Sequence, residues 1–259
     1  MFLSLIVCGL LIAACGGNES KETPADNKVN GRGEACIAFI DMSKSLPPEA
    51  FSRELQSLRD SFMGLSESAE SYMQIYPLHG NINRGVPPVV NSKVSPNLYS
   101  GDRKLTAAYR QNRQTQWQQY EQRIVALRQE LMQAPSNPLV RTCIIDAFSY
   151  AERFFKTKNH VQKKRLILAS DMLEDCPARG IDMDNTAEEF RRSTAQANNG
   201  LVHTATYLNE VEIKIFAPGG PNGILALPSG VSVTELEEFW RTVLMKLGAS
   251  DENISLEII

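Results

Sequence analysis

Short apolar runs alternate along residues 35–259 with stretches in which apolar side chains recur every three or four positions. The first pattern is typical of buried strands and the second of amphipathic helices. Their alternation predicts a doubly wound α/β fold, with a mostly parallel central sheet flanked by helices. Ligands of such folds bind at the carboxyl ends of the strands, so polar residues at those ends are the first candidates for a site.

The apolar runs and helical repeats locate the individual elements. Strands are predicted at residues 36–41, 71–78, 86–90, 165–171 and 254–258. One further strand lies at either 201–208 or 211–215, and the alternation of side chains does not decide between them. Helices are predicted to begin at Pro47, at Thr142 as N-cap and at the Ser232 capping box, and to span 103–133 and about 184–198.

The segment 103–133 is rich in Gln and Arg and carries an apolar stripe at alternating three- and four-residue steps. The stripe consists of Trp117, Tyr120, Ile124, Leu127 and Leu131. Such a heptad-like stripe packs either on its own domain or on a partner helix, including one from a second copy of the chain. The sequence leaves both interpretations open.

The first apolar run, CIAFIDMSKS, ends in Asp41, Ser43 and Ser45 at the spacing Asp-x-Ser-x-Ser. A carboxylate beside two hydroxyls suits a hard divalent cation, which prefers oxygen ligands. A second acidic residue, Asp171, ends the 165–171 run, and Thr142 lies in the loop before the preceding helix. Because the carboxyl ends of parallel strands share one edge of a sheet, these residues are expected to converge there.

This set resembles the metal-ion-dependent adhesion site of von Willebrand factor A domains. The resemblance covers residues 35–259, with a helical insertion at about 79–135, and it implies a Rossmann-like sheet. It also implies a Mg²⁺ or Mn²⁺ ion, to which a protein partner adds a carboxylate. The implied metal ligands are Asp41, Ser43, Ser45, Thr142 and Asp171. Met172 stands where the family usually has glycine.

The N-terminus resembles the signal peptide of bacterial lipoproteins. An apolar segment too short to span a bilayer ends in LIAAC, which is similar to a lipobox. The resemblance implies removal of residues 1–14 and lipidation of Cys15, which anchors the chain to a membrane through a flexible tether at 15–34. Gly16 favours the outer membrane, facing the periplasm, whereas the absence of Lys or Arg before the apolar run departs from the pattern.

Export to an oxidising compartment permits disulfides. The adhesion-site layout implies a bond between Cys143 and Cys176, because these cysteines closely follow the threonine and the aspartate of the site. Cys36 lies at the opposite end of the first strand and is expected to be buried. Glu174 and Asp175 are expected to be solvated loop residues.

The net charge and the absence of catalytic motifs argue against several other classes of function. A formal net charge of −3 gives no basis for nucleic-acid binding. The chain has no Gly-x-Ser-x-Gly elbow, no His-Glu-x-x-His and no phosphate-binding loop, and its histidines, expected on surface loops, are isolated: His79, His160 and His203. We therefore expect a binding protein rather than an enzyme. The alternatives are a metal-free scaffold of an envelope complex and a metal-dependent hydrolase built on Asp41.

Overall fold

The computed structural model describes residues 33–44, 46–79, 86–98, 101–134, 142–176, 180–183, 186–200, 207–217 and 227–258. The signal peptide, nearly all of the tether, and Ser45 lie outside these residues. The described elements are β1 (Glu34–Asp41), α1 (Pro48–Met63), β2 (Ser71–Leu78), β3 (Val90–Val94), α2 (Arg103–Gln133), α3 (Ile144–Thr157), β4 (Lys163–Ala169), β5 (Asp175–Cys176), β6 (Ile181–Asp182), α4 (Ala187–Gly200), β7 (Val211–Ala217), α5 (Val233–Lys246) and β8 (Ile254–Ile258).

The main sheet has six strands in the order β3-β2-β1-β4-β7-β8. All neighbouring strands in it are parallel except β2 and β3. The α/β class and the mostly parallel sheet predicted from the sequence are therefore confirmed. β1 lies between β2 and β4, with Asp41 opposite Leu78 and Ile40 opposite Ala169. The carboxyl end of β1 thus meets those of both neighbours at one edge.

Every residue of β1 is buried, which explains why residues 35–40 form an unbroken apolar run rather than an alternating pattern. Ile37 and Phe39 belong to a core cluster with residues of α3 and α5. Cys36, Ala38 and Ile40 belong to a second cluster, to which α1 and α2 contribute. Because alternate residues of a strand point to opposite faces, β1 contributes to both clusters.

α2 runs along α1 in the opposite direction and contacts it near both ends through buried arginines. Arg113 donates hydrogen bonds to the carbonyl oxygens of Phe62 and Leu65, at the end of α1. Arg128 donates to two carbonyl oxygens in the loop that precedes α1. The two guanidinium groups therefore hold α2 against α1 at both ends of the contact.

The apolar stripe of α2 is used within the chain. Trp117, Tyr120 and Ile124 are buried in the same core cluster as α1, whereas the last two residues of the stripe are partly buried. The Phe62 ring of α1 lies 5.7 Å, between ring centroids, from each of Trp117 and Tyr120. The segment expected as an insertion is thus part of the packing of its own domain. None of the described helices combines the length and apolar character that a bilayer crossing needs.

The predicted edge strand is displaced in the structure. It was expected at 86–90, but β3 runs over Val90–Val94. Pro87 and Pro88 have no N–H to donate to a ladder, so regular pairing with β2 begins only after them.

Several other predicted elements agree with the structure. α2 has the predicted bounds, and α4 lies close to its expected range. Ser232 and Glu235 form the predicted capping box at the start of α5, each accepting a backbone N–H from the other. The strand left open between two segments includes 211–215, as part of β7. Residues 201–206 of the other segment lie outside the described residues.

Candidate functional site

Asp41, the last residue of β1, joins two loops in which site residues were predicted. Its side chain is fully buried. Oδ1 accepts a hydrogen bond from the backbone N–H of Ser43 at 2.6 Å, and Oδ2 accepts one from the Ser170 hydroxyl at 3.1 Å. Burial raises the pKa of the Asp41 carboxyl, while these hydrogen bonds and the nearby Arg128 oppose the rise. Asp41 thus links the loop after β1 to the loop after β4.

The loop after β4 carries Asp171 in a turn of unusual backbone conformation. Asp171 was predicted to end the strand. β4 ends at Ala169, however, so Asp171 lies just beyond it. Asp171 Oδ1 accepts the backbone N–H of Leu173 at 3.0 Å. Met172 has a φ of 64°, in the left-handed region that glycine adopts most easily. A turn that the resemblance associates with glycine is therefore formed here by methionine.

Met172 is held in this conformation by hydrogen bonds on both sides. Its N–H donates to Ser170 Oγ at 3.1 Å, and its carbonyl oxygen accepts the indole N–H of Trp240 at 2.8 Å. A left-handed conformation costs a non-glycine residue about 1–2 kcal/mol, which these contacts offset. The Ser170 hydroxyl therefore connects the Asp41 carboxylate to the peptide that follows Asp171.

Glu54, on α1, is a buried carboxylate at the site that the sequence analysis did not select. It is fully buried, and a hydrogen bond from the backbone of Asp41 is among its interactions. Burial and the charges of Asp41 and Asp171 raise the pKa of Glu54 well above its usual value, and Arg128 opposes the rise. The charges of Asp41, Glu54 and Asp171 thus act on one another, and we call these three residues the carboxylate cluster.

Arg128, on α2, is the positive residue next to this cluster. Its guanidinium donates to the carbonyl oxygens of Ser43, at 3.3 Å, and of Leu46. Burial lowers the pKa of Arg128, while two members of the cluster, Asp41 and Glu54, oppose that shift. Arg128 therefore positions the loop after β1 and partly balances the negative charge beside it.

Thr142 is not the N-cap that was predicted. α3 begins at Ile144, and the Glu174 carboxylate accepts the backbone N–H groups of Ile144 and Ile145 at 2.5 and 3.2 Å. A negative charge at a helix N-terminus satisfies free N–H donors and interacts favourably with the helix dipole. Glu174 is fully buried, so the expectation that it is solvated is wrong, whereas Asp175 is partly exposed.

The Thr142 loop is tied to the segment after Asp171 by its backbone and by a disulfide. The Thr142 carbonyl oxygen accepts the backbone N–H of Asp175 at 3.0 Å. Cys143 and Cys176 form a disulfide with a Cα–Cα distance of 4.9 Å. The Thr142 side chain is buried and makes no hydrogen bond to the residues that the structure describes. These two links hold the Thr142 loop beside the segment that follows Asp171.

The predicted ligands are thus brought together to different degrees. Asp41 contacts Ser43 directly and reaches the Asp171 loop through Ser170. Thr142 belongs to the same region only through its links to the segment after Asp171. Ser45 lies outside the described residues.

The compact group of ligand-type side chains in the described residues does not point to a magnesium site. In the described ranges, Cys143, Glu174 and Cys176 have ligand atoms that all lie within 4.8 Å of one another. Both sulfur atoms are used in the disulfide, and the carboxylate is used at the start of α3. Cys36 is free but buried, and burial raises the pKa of its thiol to about 12.

His79 also differs from its expected position. It was predicted on a surface loop, but it is buried immediately after β2, and burial lowers its pKa. Its neighbour Leu78 pairs with Asp41, so His79 lies at the same edge of the sheet as the carboxylate cluster. His160 is exposed, as expected, and His203 lies outside the described residues.

The raised carboxyl pKa values predict a pH dependence for the stability of the metal-free protein. A carboxyl whose pKa is raised on folding contributes stability below its unfolded pKa and loses that contribution as pH rises through its folded pKa. For Glu54 the loss of this contribution begins near pH 4.5, because the ordinary pKa of its side chain is 4.5. Relative to the wild type, Glu54→Gln should therefore gain stability as pH rises, by at most about 1.4 kcal/mol per pH unit.

Urea unfolding in the presence of a chelator, from about pH 4.5 to about pH 8, measures this difference. Glu49→Gln is the matched control, because Glu49 is an exposed residue of the same helix. A difference between Glu54→Gln and wild type that stays constant over this range would contradict the assignment of a raised pKa to Glu54.

Comparisons with known proteins leave the family of the chain undefined. No protein-family model and no curated protein sequence matches it. Among solved structures, it is similar to proximal thread matrix protein 1 of the mussel byssus, with 12% identity, a TM-score of 0.37, and coverage of 88% of this chain and 44% of the other. It is also similar to the pilus adhesin SpaC of Lactobacillus rhamnosus GG, with 12% identity, a TM-score of 0.39, and coverage of 88% and 28%. The chain therefore spans less than half of either structure.

Proposed function

We propose that the chain is a von Willebrand factor A-like protein that binds Mg²⁺ or Mn²⁺ and, through the ion, an acidic side chain of a protein partner. The proposed ligands are Asp41, Ser43, Ser45, Thr142 and Asp171. Carboxylate and hydroxyl oxygens are the donors that such hard cations prefer. A bound ion supplies positive charge at the edge of the sheet, and this charge attracts the partner's carboxylate.

The observation that carries this proposal is an excess of negative charge at the carboxyl end of β1. The carboxylate cluster, which consists of Asp41, Glu54 and Asp171, interacts with Arg128 as its nearby positive residue. Asp41 and Glu54 are fully buried. Buried charges are stable only when they are paired or coordinate a metal. A divalent cation would balance the remaining charge, so the residues present fit the ion that the resemblance implies.

We also propose a more specific fold for the chain and a location for it in the cell. The two core clusters that share β1 support a doubly wound, Rossmann-like sheet, in which the site lies at the usual place for a ligand. We further propose a cell-envelope lipoprotein, anchored to the outer membrane through Cys15 and facing the periplasm. The tether at 15–34 would then leave the site accessible to other envelope proteins.

Calorimetric titration of the purified full-length chain tests the metal site. Wild-type protein should bind Mn²⁺ or Mg²⁺ saturably, at concentrations up to the millimolar range. Asp41→Asn and Asp171→Asn should each weaken binding roughly 10–100-fold, because each removes a negative oxygen donor from the shells that hold the ion. Asp60→Asn, at an exposed position of α1, should leave binding unchanged. Wild-type protein that folds normally and binds neither ion would overturn the proposal.

One observation favours a second candidate, a metal-free scaffold of an envelope complex. Arg128 already places a positive charge beside Asp41, and the raised pKa of Glu54 favours its neutral form. With Glu54 neutral, the site has a smaller charge for an ion to balance. The same titration decides between the candidates, since folded protein without metal binding is the result that the scaffold predicts.

A further inference from the structure

A basic segment lies at the edge of the sheet opposite the proposed metal site. Residues 156–165, KTKNHVQKKR, contain five Lys or Arg residues and no Asp or Glu. They join the end of α3 to the start of β4. Because β4 is parallel to β1, this segment lies where β1 begins, whereas Asp41 lies where β1 ends. We call residues 156–165 the basic loop.

Two lysines of the basic loop are not balanced by a carboxylate. Lys158 and Lys164 form no ion pair with the residues that the structure describes, although Lys158 Nζ lies 3.7 Å from the centroid of the Tyr72 ring. The other three cations of the loop each pair with a glutamate. Both unbalanced lysines are partly exposed, so their positive charges are accessible to a group outside the domain.

The segment that leads from the predicted anchor enters the fold beside this loop. Gly33 is the first described residue, and its carbonyl oxygen accepts the backbone N–H groups of Gln162 and Lys163 at 3.3 and 3.2 Å. A Cβ atom at Gly33 would clash with the carbonyl oxygen of Glu70, so the close approach requires glycine. The tether therefore joins the domain at a fixed point next to the basic loop.

The length of the tether keeps this point near the predicted anchor. Eighteen positions separate Gly33 from Cys15, where the resemblance places the lipid. A flexible chain of that length has an r.m.s. end-to-end distance of about 20–25 Å. Because the domain cannot move far from the bilayer, even a weak contact between the basic loop and the lipid surface acts at a high effective concentration.

We propose that the basic loop binds the anionic headgroups of the membrane that holds the lipid at Cys15. This inference rests on the proposed function, because it requires that anchor. Anionic phospholipids attract lysines close to their surface, whereas the net charge of −3 gives the protein as a whole no such attraction. The carboxyl end of β1, with the proposed metal site, lies about 23 Å farther along the strand and would face away from the membrane, toward a partner.

Sedimentation with lipid vesicles tests the inference on the mature chain, residues 15–259, with Cys15→Ser to prevent lipidation. The described fold begins at Gly33, so neither change lies within it. In a chelator, which removes any ion that could link protein and lipid, this chain should bind vesicles of phosphatidylcholine and phosphatidylglycerol in equal parts. It should not bind vesicles of phosphatidylcholine alone. Raising the salt from about 0.05 M to about 0.5 M should release it, because salt screens exposed charges.

Lys158→Gln with Lys164→Gln removes the two unbalanced charges. This double variant should bind the anionic vesicles roughly 25-fold more weakly, about fivefold for each lysine. The matched control is Lys44→Gln with Arg123→Gln, because both residues are exposed and form no ion pair with described residues. Lys44 follows β1 at the opposite edge of the sheet, and Arg123 is on α2. The control loses the same net charge and should bind like the parent chain.

The outcomes separate this inference from the proposed function. Mass spectrometry of the wild-type chain extracted from membranes shows whether Cys15 carries lipid. If it does, and the unlipidated chain binds anionic vesicles no better than neutral ones, the inference is overturned and the proposed function stands. If Cys15 carries no lipid, the proposed location is overturned and the inference with it. Equal losses in the two double variants would assign the attraction to net charge and overturn the inference alone. A loss confined to Lys158→Gln with Lys164→Gln, together with lipid on Cys15, supports both.

Discussion

Replacing Arg128 with methionine should destabilise the protein by about 3–5 kcal/mol, the cost of removing one member of a buried group of charges. The variant loses the hydrogen bonds to the loop after β1 and leaves Asp41 without its nearby positive charge. It also loses the contact in which the guanidinium lies 4.1 Å from the centroid of the Phe51 ring. Urea unfolding of the metal-free protein near neutral pH measures the loss.

Arg113→Met is the matched control for this experiment. Arg113 is on the same helix, donates to backbone carbonyl oxygens of the α1 region and lies 5.3 Å from the centroid of the Phe62 ring. The carboxylate that interacts with it, Glu67, is partly exposed, so this substitution should cost only about 1.5–3 kcal/mol. The excess cost of Arg128→Met should shrink at acidic pH, where Asp41 becomes neutral. Equal losses for the two variants at every pH would show that Arg128 acts through packing and hydrogen bonds alone.

Removing the disulfide by Cys143→Ser with Cys176→Ser should destabilise the fold by about 3–4 kcal/mol. The bond spans a sequence separation of 33 residues, and the estimate follows from the loop-closure entropy of an unfolded chain of that length. The double variant should also bind Mn²⁺ more weakly, because the bond ties the Thr142 loop to the segment that follows Asp171. Urea unfolding and calorimetry measure the two effects.

Cys36→Ala is the control, since Cys36 is buried and free. It should leave metal binding unchanged and lower stability only by the cost of a small core substitution. If the double serine variant kept the wild-type affinity for Mn²⁺, the disulfide would have a role in stability alone, and the place of Thr142 among the ligands would be in question.

Much of the fold could be predicted because its elements have strong local patterns. The apolar run at 35–40 corresponds to a strand buried on both faces, and this strand, β1, ends at Asp41 as predicted. The bounds of α2 and the capping box at Ser232 also follow from residues close together in sequence. The position of β3 was predicted wrongly. The apolar residues at 86–90 favour a strand, but the two prolines among them cannot donate hydrogen bonds to a neighbouring strand.

The charged residues around the site were harder to predict, because their partners are distant in sequence. Glu54 lies on the apolar face of α1, beside Phe51 and Leu55, so a search for apolar periodicity passes over it. Arg113 and Arg128 likewise continue the three- and four-residue spacing of the α2 stripe. A charged residue in phase with an apolar stripe is the signal that could have identified all three. The sequence gives no indication of what each of them contacts.

The start of α3, near Thr142, likewise depends on a residue that is distant in sequence. A threonine before an apolar helical repeat is a reasonable N-cap, yet the N–H groups of α3 bond to Glu174 from a loop far along the chain. That carboxylate was predicted to be solvated because it lies among polar loop residues. Its burial depends on the approach of two loops, which no local pattern in either of them specifies.

The central position of β1 has a consequence for how the chain folds. β2 and β3 are adjacent in sequence and antiparallel, so this pair can form early. β1 needs β4 on its other side, and the pairing of Cys36 with Arg165 closes a very long loop. Until β4 arrives, one edge of β1, which is apolar from residue 35 to residue 40, stays open to association with other chains. In an exported chain, this interval would call for a chaperone that keeps β1 apart from other unfolded molecules.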